Sequence, residues 1–237
     1  MLIDKKTYPV EAQKSLTFSS TGTKVMWEEK HLLSSSVRIT TQGKGFLLVD
    51  NRPYRGSLTL KSDRGSLTLV NHVYLDDYVR GIINMEINPH WPEEAVKAQI
   101  IAARTYALKN RDRHKDQGYD FCASSHCQVY GGVNAEDPIT NALVDSTQGL
   151  ILTYQNQPAE VCFHSESGGI TDSAFNVWGK NVPYLISVDS KWEKDSPHAY
   201  WEVKLSVDEL NVSLQKAGLI QGDIVQLQVQ PNEPSMR

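Results

Sequence analysis

The sequence predicts an α+β fold: N-terminal antiparallel strands, followed by a mixed helix and strand core with one long helix near 92–114. Three observations carry that reading. The first 70 or so residues contain short runs alternating apolar and polar at period two, the mark of half-buried strands. From Tyr74 the pattern turns helical, and a strong helix start stands at Trp91-Pro92-Glu93-Glu94. Strands and helices come in blocks rather than in strict alternation, which favours α+β over a parallel α/β sheet.

Val37-Arg38-Ile39-Thr40 alternates, and Gly45-Phe46-Leu47-Leu48-Val49 ends in the turn residues Asp50-Asn51. Gly56-Ser57-Leu58-Thr59-Leu60 and Gly65-Ser66-Leu67-Thr68-Leu69-Val70 repeat the alternation. The segment Lys61-Ser62-Asp63-Arg64-Gly65 between them reads as a hairpin. Residues 1–72 are therefore expected to form a strand-rich segment packed on the core domain, 73–237. Leu75-Asp76-Asp77-Tyr78-Val79-Arg80-Gly81-Ile82-Ile83 reads as a short helix stopping before Asn88-Pro89. Proline fits the first turn of the next helix, and Glu93 and Glu94 complement its positive end. Strong helix formers continue over 95–113, with Ala95, Ala98, Ile101, Ala102, Thr105 and Leu108 as the predicted packing face. Lys109, Arg111, Arg113 and His114 then suit a helix C-terminus.

After Gly118 a loop carries Cys122 and Cys127 and runs into Gln128-Val129-Tyr130-Gly131-Gly132. A further helix is expected from about 138 to 147, stopped by Gly149. Leu150-Ile151-Leu152-Thr153-Tyr154 and Pro158-Ala159-Glu160-Val161-Cys162-Phe163-His164 form an expected hairpin around Asn156. A polar loop, 165–171, follows. Trp201-Glu202-Val203-Lys204-Leu205 reads as a strand, and Ser206-Val207-Asp208-Glu209-Leu210 opens a helix.

Composition excludes some partners. The chain has 237 residues, a formal charge of −4 and no Lys/Arg block, so no electrostatic footprint for nucleic acid exists. No run of 18 apolar residues is present to span a membrane. The opening stretch Met1 to Tyr8 lacks the apolar segment of a signal peptide, which leaves a cytosolic chain or one whose leader lies outside this sequence. Three cysteines are too few for a disulfide framework. Cys122 and Cys127 are open to three readings: a short-loop disulfide, a metal pair, or buried thiols.

Several blocks, in order, resemble the stage II sporulation protein D family (SpoIID/LytB). They are Tyr74-Leu75-Asp76-Asp77-Tyr78-Val79-Arg80-Gly81, Met85-Glu86, Trp91-Pro92-Glu93-Glu94-Ala95-Val96-Lys97-Ala98-Gln99 and Ala102-Ala103-Arg104-Thr105-Tyr106-Ala107. Cys127-Gln128-Val129-Tyr130-Gly131-Gly132, His164-Ser165-Glu166-Ser167-Gly168-Gly169, Trp178-Gly179 and Pro183-Tyr184-Leu185 continue the series. The resemblance covers about half the chain. It implies an extracytoplasmic protein acting on peptidoglycan, either as a lytic transglycosylase on glycan strands stripped of stem peptides or as a non-catalytic amidase enhancer or glycan-binding module. A cell-wall amidase is the implied protein partner. The family's catalytic acid falls on Glu86, although Met85-Glu86-Ile87 replaces the family's Ala-Glu-Met.

One carboxyl is enough for such chemistry. Most glycosidases need two, one to protonate the leaving oxygen and one to attack or to activate water. A lytic transglycosylase uses the muramic C6 hydroxyl as nucleophile, so a single residue serves as acid and then as base. That acid must stay protonated near neutral pH, which an apolar setting favours. Ile82, Ile83, Met85 and Ile87 are expected to supply the setting, and Asn84 and Asn88 the orienting hydrogen bonds.

Arg104, on one helix face with Lys97, is read either as a partner of Glu86 or of a substrate carbonyl, or as a structural ion pair. Ser165, Ser167, Gly168 and Gly169 are candidate donors to sugar oxygens, or a plain turn; Gln128 and Tyr130 are weaker candidates of the same kind. His114, Cys122, His126 and Cys127 are chemically suited to zinc, and the resemblance adds that some sporulation-type members carry a zinc here. The expected role is structural, with no cofactor required for catalysis. Cys162 and His164, two apart in an expected strand, would share a face, an arrangement seldom used for a Cys–His nucleophile pair.

Overall fold

Alternating short runs separated by tight turns condense into small antiparallel sheets. The computed structural model describes residues 1–228 apart from 4–5, 10, 12–13, 29–30, 33, 42–44 and 196–199. Strands β1 (Leu2–Ile3), β2 (Lys6–Thr7), β3 (Phe18–Thr21), β4 (Lys24–Trp27) and β5 (His31–Leu32) come first. They are followed by β6 (Ser36–Thr40), β7 (Leu47–Val49), β8 (Arg52–Tyr54), β9 (Ser57–Asp63) and β10 (Ser66–His72). One sheet has the order β10-β9-β6-β1-β2, a second β3-β4-β5, and β7 and β8 pair alone. The β9–β10 hairpin turns through Arg64 and Gly65, the β7–β8 hairpin through Asp50 and Asn51, and all four residues have positive φ. Two-residue turns of that hand match the twist of the strands they join. Val25 and Val37 are fully buried between the two larger sheets, with Trp27, Ile39, Leu60 and Leu67 packed around them.

The helices follow as expected, with one change of phase. Helix α1 (Leu75–Glu86) opens with Asp76 and Asp77 in its first turn, and α2 (Glu93–Lys109) opens with Glu93 and Glu94. Helix α3 (Pro138–Ser146) is capped by Asp137, whose side chain accepts from the Ile139 N–H. Val79 and Ile83 of α1, Val96 and Ile100 of α2, and Val144 of α3 form one buried cluster. The face of α2 that packs is therefore Val96, Ile100, Ala103, Arg104, Ala107 and, as expected, Thr105. Ala95, Ala98 and Leu108, expected inside, are exposed. Alanines surround this helix, so apolar spacing alone leaves its rotation open, whereas the larger Val96 and Ile100 gain more by burial. The helix also stops at Lys109, and His114 turns off into the loop beyond.

Polar ties join these helices to the strand-rich segment. Arg55 grips Glu136 through two bonds of 2.6 and 2.7 Å, and the Tyr130 hydroxyl donates to Asn71 Oδ1 at 2.8 Å. Strands β11 (Thr153–Tyr154) and β12 (Gln157–Pro158) form the expected hairpin about Gln155-Asn156, both at positive φ. The chain divides into two compact units, 1–161 and 162–237. Strands and helices on either side of residue 72 thus share the first unit.

In the second unit, helix α4 (Ala174–Trp178) and helix α5 (Val207–Lys216) flank a 3-10 turn, Lys191–Asp195. Ser206 and Glu209 close a reciprocal capping box at the start of α5. Two expected strands are not formed. Beyond the Ala159 N–H to Leu152 carbonyl bond of 2.9 Å, residues 159–164 do not continue as a strand, and 201–205, exposed throughout, is in no strand among the described residues. An unpaired strand gains nothing for its backbone groups. Cys162 and His164 consequently do not share a strand face. No helix among the described residues is long and apolar enough to cross a membrane.

Candidate functional site

Glu86 is the last residue of α1, where the Ile87 N–H still bonds to the Ile83 carbonyl before the chain leaves the helix. The Asn88 side chain accepts from the His90 N–H at 2.9 Å, and the Asn88 carbonyl accepts from the Trp91 N–H at 3.1 Å. This turn, bracketed by Pro89 and Pro92, folds residues 87–92 back toward the helix end. The result is an open cleft of about 480 Å³ lined by residues 84–91. Among the described residues nothing hydrogen-bonds or pairs with the Glu86 carboxylate. Glu86 as a whole is exposed, and the partial burial of its carboxyl pushes it above the usual carboxylate range. The negative end of α1 acts in the same direction, since it disfavours an anion there.

The expected supports of Glu86 are differently engaged. Ile82 and Ile83 are fully buried in the interior, so of the four apolar neighbours Met85 and Ile87 remain at the cleft. Asn84 donates to the Ala135 carbonyl and to Thr140 Oγ1, fixing α1 to α3, and Asn88 serves its own turn. Neither orients the acid. Arg104 is 1 % exposed, and its guanidinium pairs with Asp76 at 2.8 Å and donates to the carbonyls of Leu150 and Val144. The ion-pair reading of Arg104 is the observed one, and Glu86 is not among its partners. Lys97 is held by Glu93 and Glu94 on its own helix.

Gln128 and Tyr130 are interior residues rather than part of the cleft. Gln128 is 3 % exposed, and its Oε1 accepts from the Tyr78 hydroxyl. Tyr130 stacks on Tyr78, and its ring lies so close to Gly81 that a Cβ there would meet it at 2.4 Å. That contact explains the glycine within α1. Burial pushes both tyrosine hydroxyls well above their usual range.

Ser165, Ser167 and Gly168 belong to the second unit. There the Ser167 N–H and hydroxyl and the Gly169 N–H, each 2.9–3.1 Å away, all donate to the Glu193 carboxylate. Those backbone donors at Ser167 and Gly169, with the serine hydroxyl, hold Glu193 down to about 2. The loop is thus a carboxylate cradle already filled by its own chain, not a set of open donors for sugar oxygens.

The four candidate metal ligands do come together. The ligand atoms of His114, Cys122, His126 and Cys127 all lie within 4.8 Å of one another. Cys127 Sγ is 3.3 Å from His114 Nε2 and 3.5 Å from His126 Nδ1, and Cys122 Sγ is 3.6 Å from His126 Nδ1. A tetrahedral ion with sulfur at about 2.3 Å and nitrogen at about 2.0–2.1 Å has sulfur–nitrogen edges of about 3.6 Å. The donor set therefore fits such an ion in both chemistry and spacing. Ser124, bonded to the Cys122 sulfur, lowers that thiol to about 5. The loop also bears on α1, because Phe121 stacks on Tyr78 and the Gly131 N–H bonds to the Gly81 carbonyl at 2.9 Å.

Sequence reasoning passed over Trp91, reading it only as part of a helix start. It lines the Glu86 cleft with 55 % of its surface exposed. The available signal was an aromatic residue set between two prolines five positions beyond the acid.

Comparison with known proteins places this site in a family context. The model of the SpoIID family, described as Stage II sporulation protein, matches residues 63–154. An uncharacterized protein of Brachyspira hyodysenteriae is 36 % identical over 165 residues, 68 % of this chain and 44 % of that protein. The stage II sporulation protein D of Bacillus subtilis is 36 % identical over 166 residues, 60 % of this chain and 48 % of its own length. The amidase enhancer of Bacillus subtilis is 33 % identical over 133 residues, 56 % of this chain and 17 % of that protein. The chain spans about half the length of the first of these curated relatives.

Proposed function

The chain belongs to the SpoIID family, and from that premise we propose that it acts on the glycan of the bacterial cell wall, outside the cytoplasm, as a lytic transglycosylase. The observation that carries the proposal is Glu86: a carboxyl with no hydrogen-bond or ion-pair partner among the described residues, raised above its usual range by burial, at the rim of an open cleft. In the proposed reaction the Glu86 proton passes to the glycosidic oxygen as the bond to the muramic C1 breaks. The C6 hydroxyl of the same sugar closes on C1 to give the 1,6-anhydro ring, and its proton returns to the Glu86 carboxylate. One residue thus acts as acid and then as base, and no second carboxylate is needed. His114, Cys122, His126 and Cys127 would hold a zinc ion in a structural role, since four protein ligands leave no open position for chemistry.

A second reading, a glycan-binding amidase enhancer without catalysis of its own, draws on two observations. The cleft is open, and Arg104 does not stand beside the acid. The named amidase enhancer among the relatives points the same way. The two readings separate when intact peptidoglycan is treated with a cell-wall amidase plus this protein or its Glu86→Gln variant. Catalysis predicts that any gain in total fragment release disappears with Glu86→Gln. An enhancer predicts that the gain survives the substitution.

A further inference from the structure

Trp91 is placed where an ordinary surface tryptophan need not be. Single exposed apolar residues are common and by themselves say nothing. This one shares a cleft with the uncommitted carboxyl of Glu86. It is also presented by a stiff loop: Pro89 and Pro92 fix their own backbone angles, and the Asn88 side chain and carbonyl close the turn between them. The half-buried Tyr78, Phe121 and Tyr130 stack among themselves, and Tyr74 is more exposed than Trp91, but of these aromatic residues only Trp91 lines the Glu86 cleft. An indole carried on a constrained backbone costs little loop ordering when a ligand covers it.

The lining of the cleft, residues 84–91, contains neither lysine nor arginine. Its chemistry is a flat apolar face beside the Glu86 carboxyl and the polar groups of Asn88 and His90. A pyranose ring has the complementary form, with C–H groups on one face and hydroxyls around the rim. Burying the C–H face on the indole removes apolar area from water while the rim stays hydrogen-bonded, the usual division of labour in a ligand site. We propose that Trp91 is the stacking platform for an uncharged N-acetylhexosamine ring of the glycan strand, and that this contact sets the adjoining glycosidic bond against Glu86. The inference rests on the glycan reading above but is separable from catalysis.

The test uses the full chain carrying Glu86→Gln, so that binding is read without turnover, titrated calorimetrically with a β-1,4-linked N-acetylglucosamine trisaccharide. Adding Trp91→Ala is expected to weaken the Kd at least tenfold, and adding Trp91→Phe to restore most of it, with thermal midpoints unchanged. Equal affinity in the Trp91→Ala variant, or no saturable binding in the Glu86→Gln parent, overturns the proposal. A Trp91-dependent affinity in a protein that cleaves nothing keeps the platform and removes the transglycosylase. Cleavage by wild type with no Trp91 dependence of binding does the reverse.

Discussion

At the residue scale the account turns on one acid and one arginine. Glu86 was legible as a motif position, but its surroundings were not. Ile82 and Ile83 look like neighbours in the sequence, yet helical geometry sends them into the core while residue 86 ends at the rim. A general acid must be protonated to act, and the Glu86 carboxyl is raised above its usual range by burial. Glycan cleavage is therefore expected to be level in acid and to fall as pH rises through that raised value, which a pH profile of kcat under saturating glycan measures. A falling limb at or below the ordinary glutamate range would remove Glu86 from that role. Arg104 illustrates the opposite difficulty. A guanidinium in an alanine-rich face announces a partner, but Asp76 lies 28 positions upstream and only the packing of α1 on α2 brings them together. Asp76→Ala would leave Arg104 buried and unpaired, an expected loss of about 3 kcal/mol in stability by denaturant unfolding. A loss within about 0.5 kcal/mol would mean that the guanidinium is satisfied by carbonyls alone.

At the element scale, local rules worked where the signal is local. The two-residue turns at 64–65 and 155–156 were read from residues within four positions of one another, and the Asp137 cap and the Ser206–Glu209 capping box, though not read, are equally local. They failed where the outcome depends on a neighbour. The rotation of α2 is decided by what α1 and α3 offer, and 201–205 joins no strand among the described residues. The loop from His114 to Cys127 lies between these cases: its donors were legible, but not their convergence. Because this loop presses Phe121 on Tyr78 and leads directly to the Gly131–Gly81 bond, it holds the helix that ends in Glu86. Metal held there should stabilise the fold. The purified protein is expected to contain about one zinc per chain by elemental analysis. Chelation should lower its Tm by several degrees, a shift absent from a Cys122→Ser, Cys127→Ser double variant. Equal chelator responses would dissociate the cluster from stability.

At the scale of the whole molecule, the two compact units differ in how their cores are built. The first carries two hydrophobic clusters and the Glu86 cleft. The second has Ala174 as its one fully buried apolar residue among those described, and its Ser165–Gly169 segment is organised by Glu193 rather than by packing. The α+β class was legible from the block order of strands and helices, whereas the division at 161–162 had no compositional mark, since no proline- or glycine-rich linker stands there. The proposed cleavage is a property of the assembled first unit, because it needs the acid, the cleft and a bound glycan strand together. The most direct measurement is mass spectrometry of amidase-stripped glycan after incubation with the wild-type chain or with Glu86→Gln. The account predicts 1,6-anhydro-muramic ends from wild type and none from the variant. Anhydro ends from both proteins, or from neither, would contradict it.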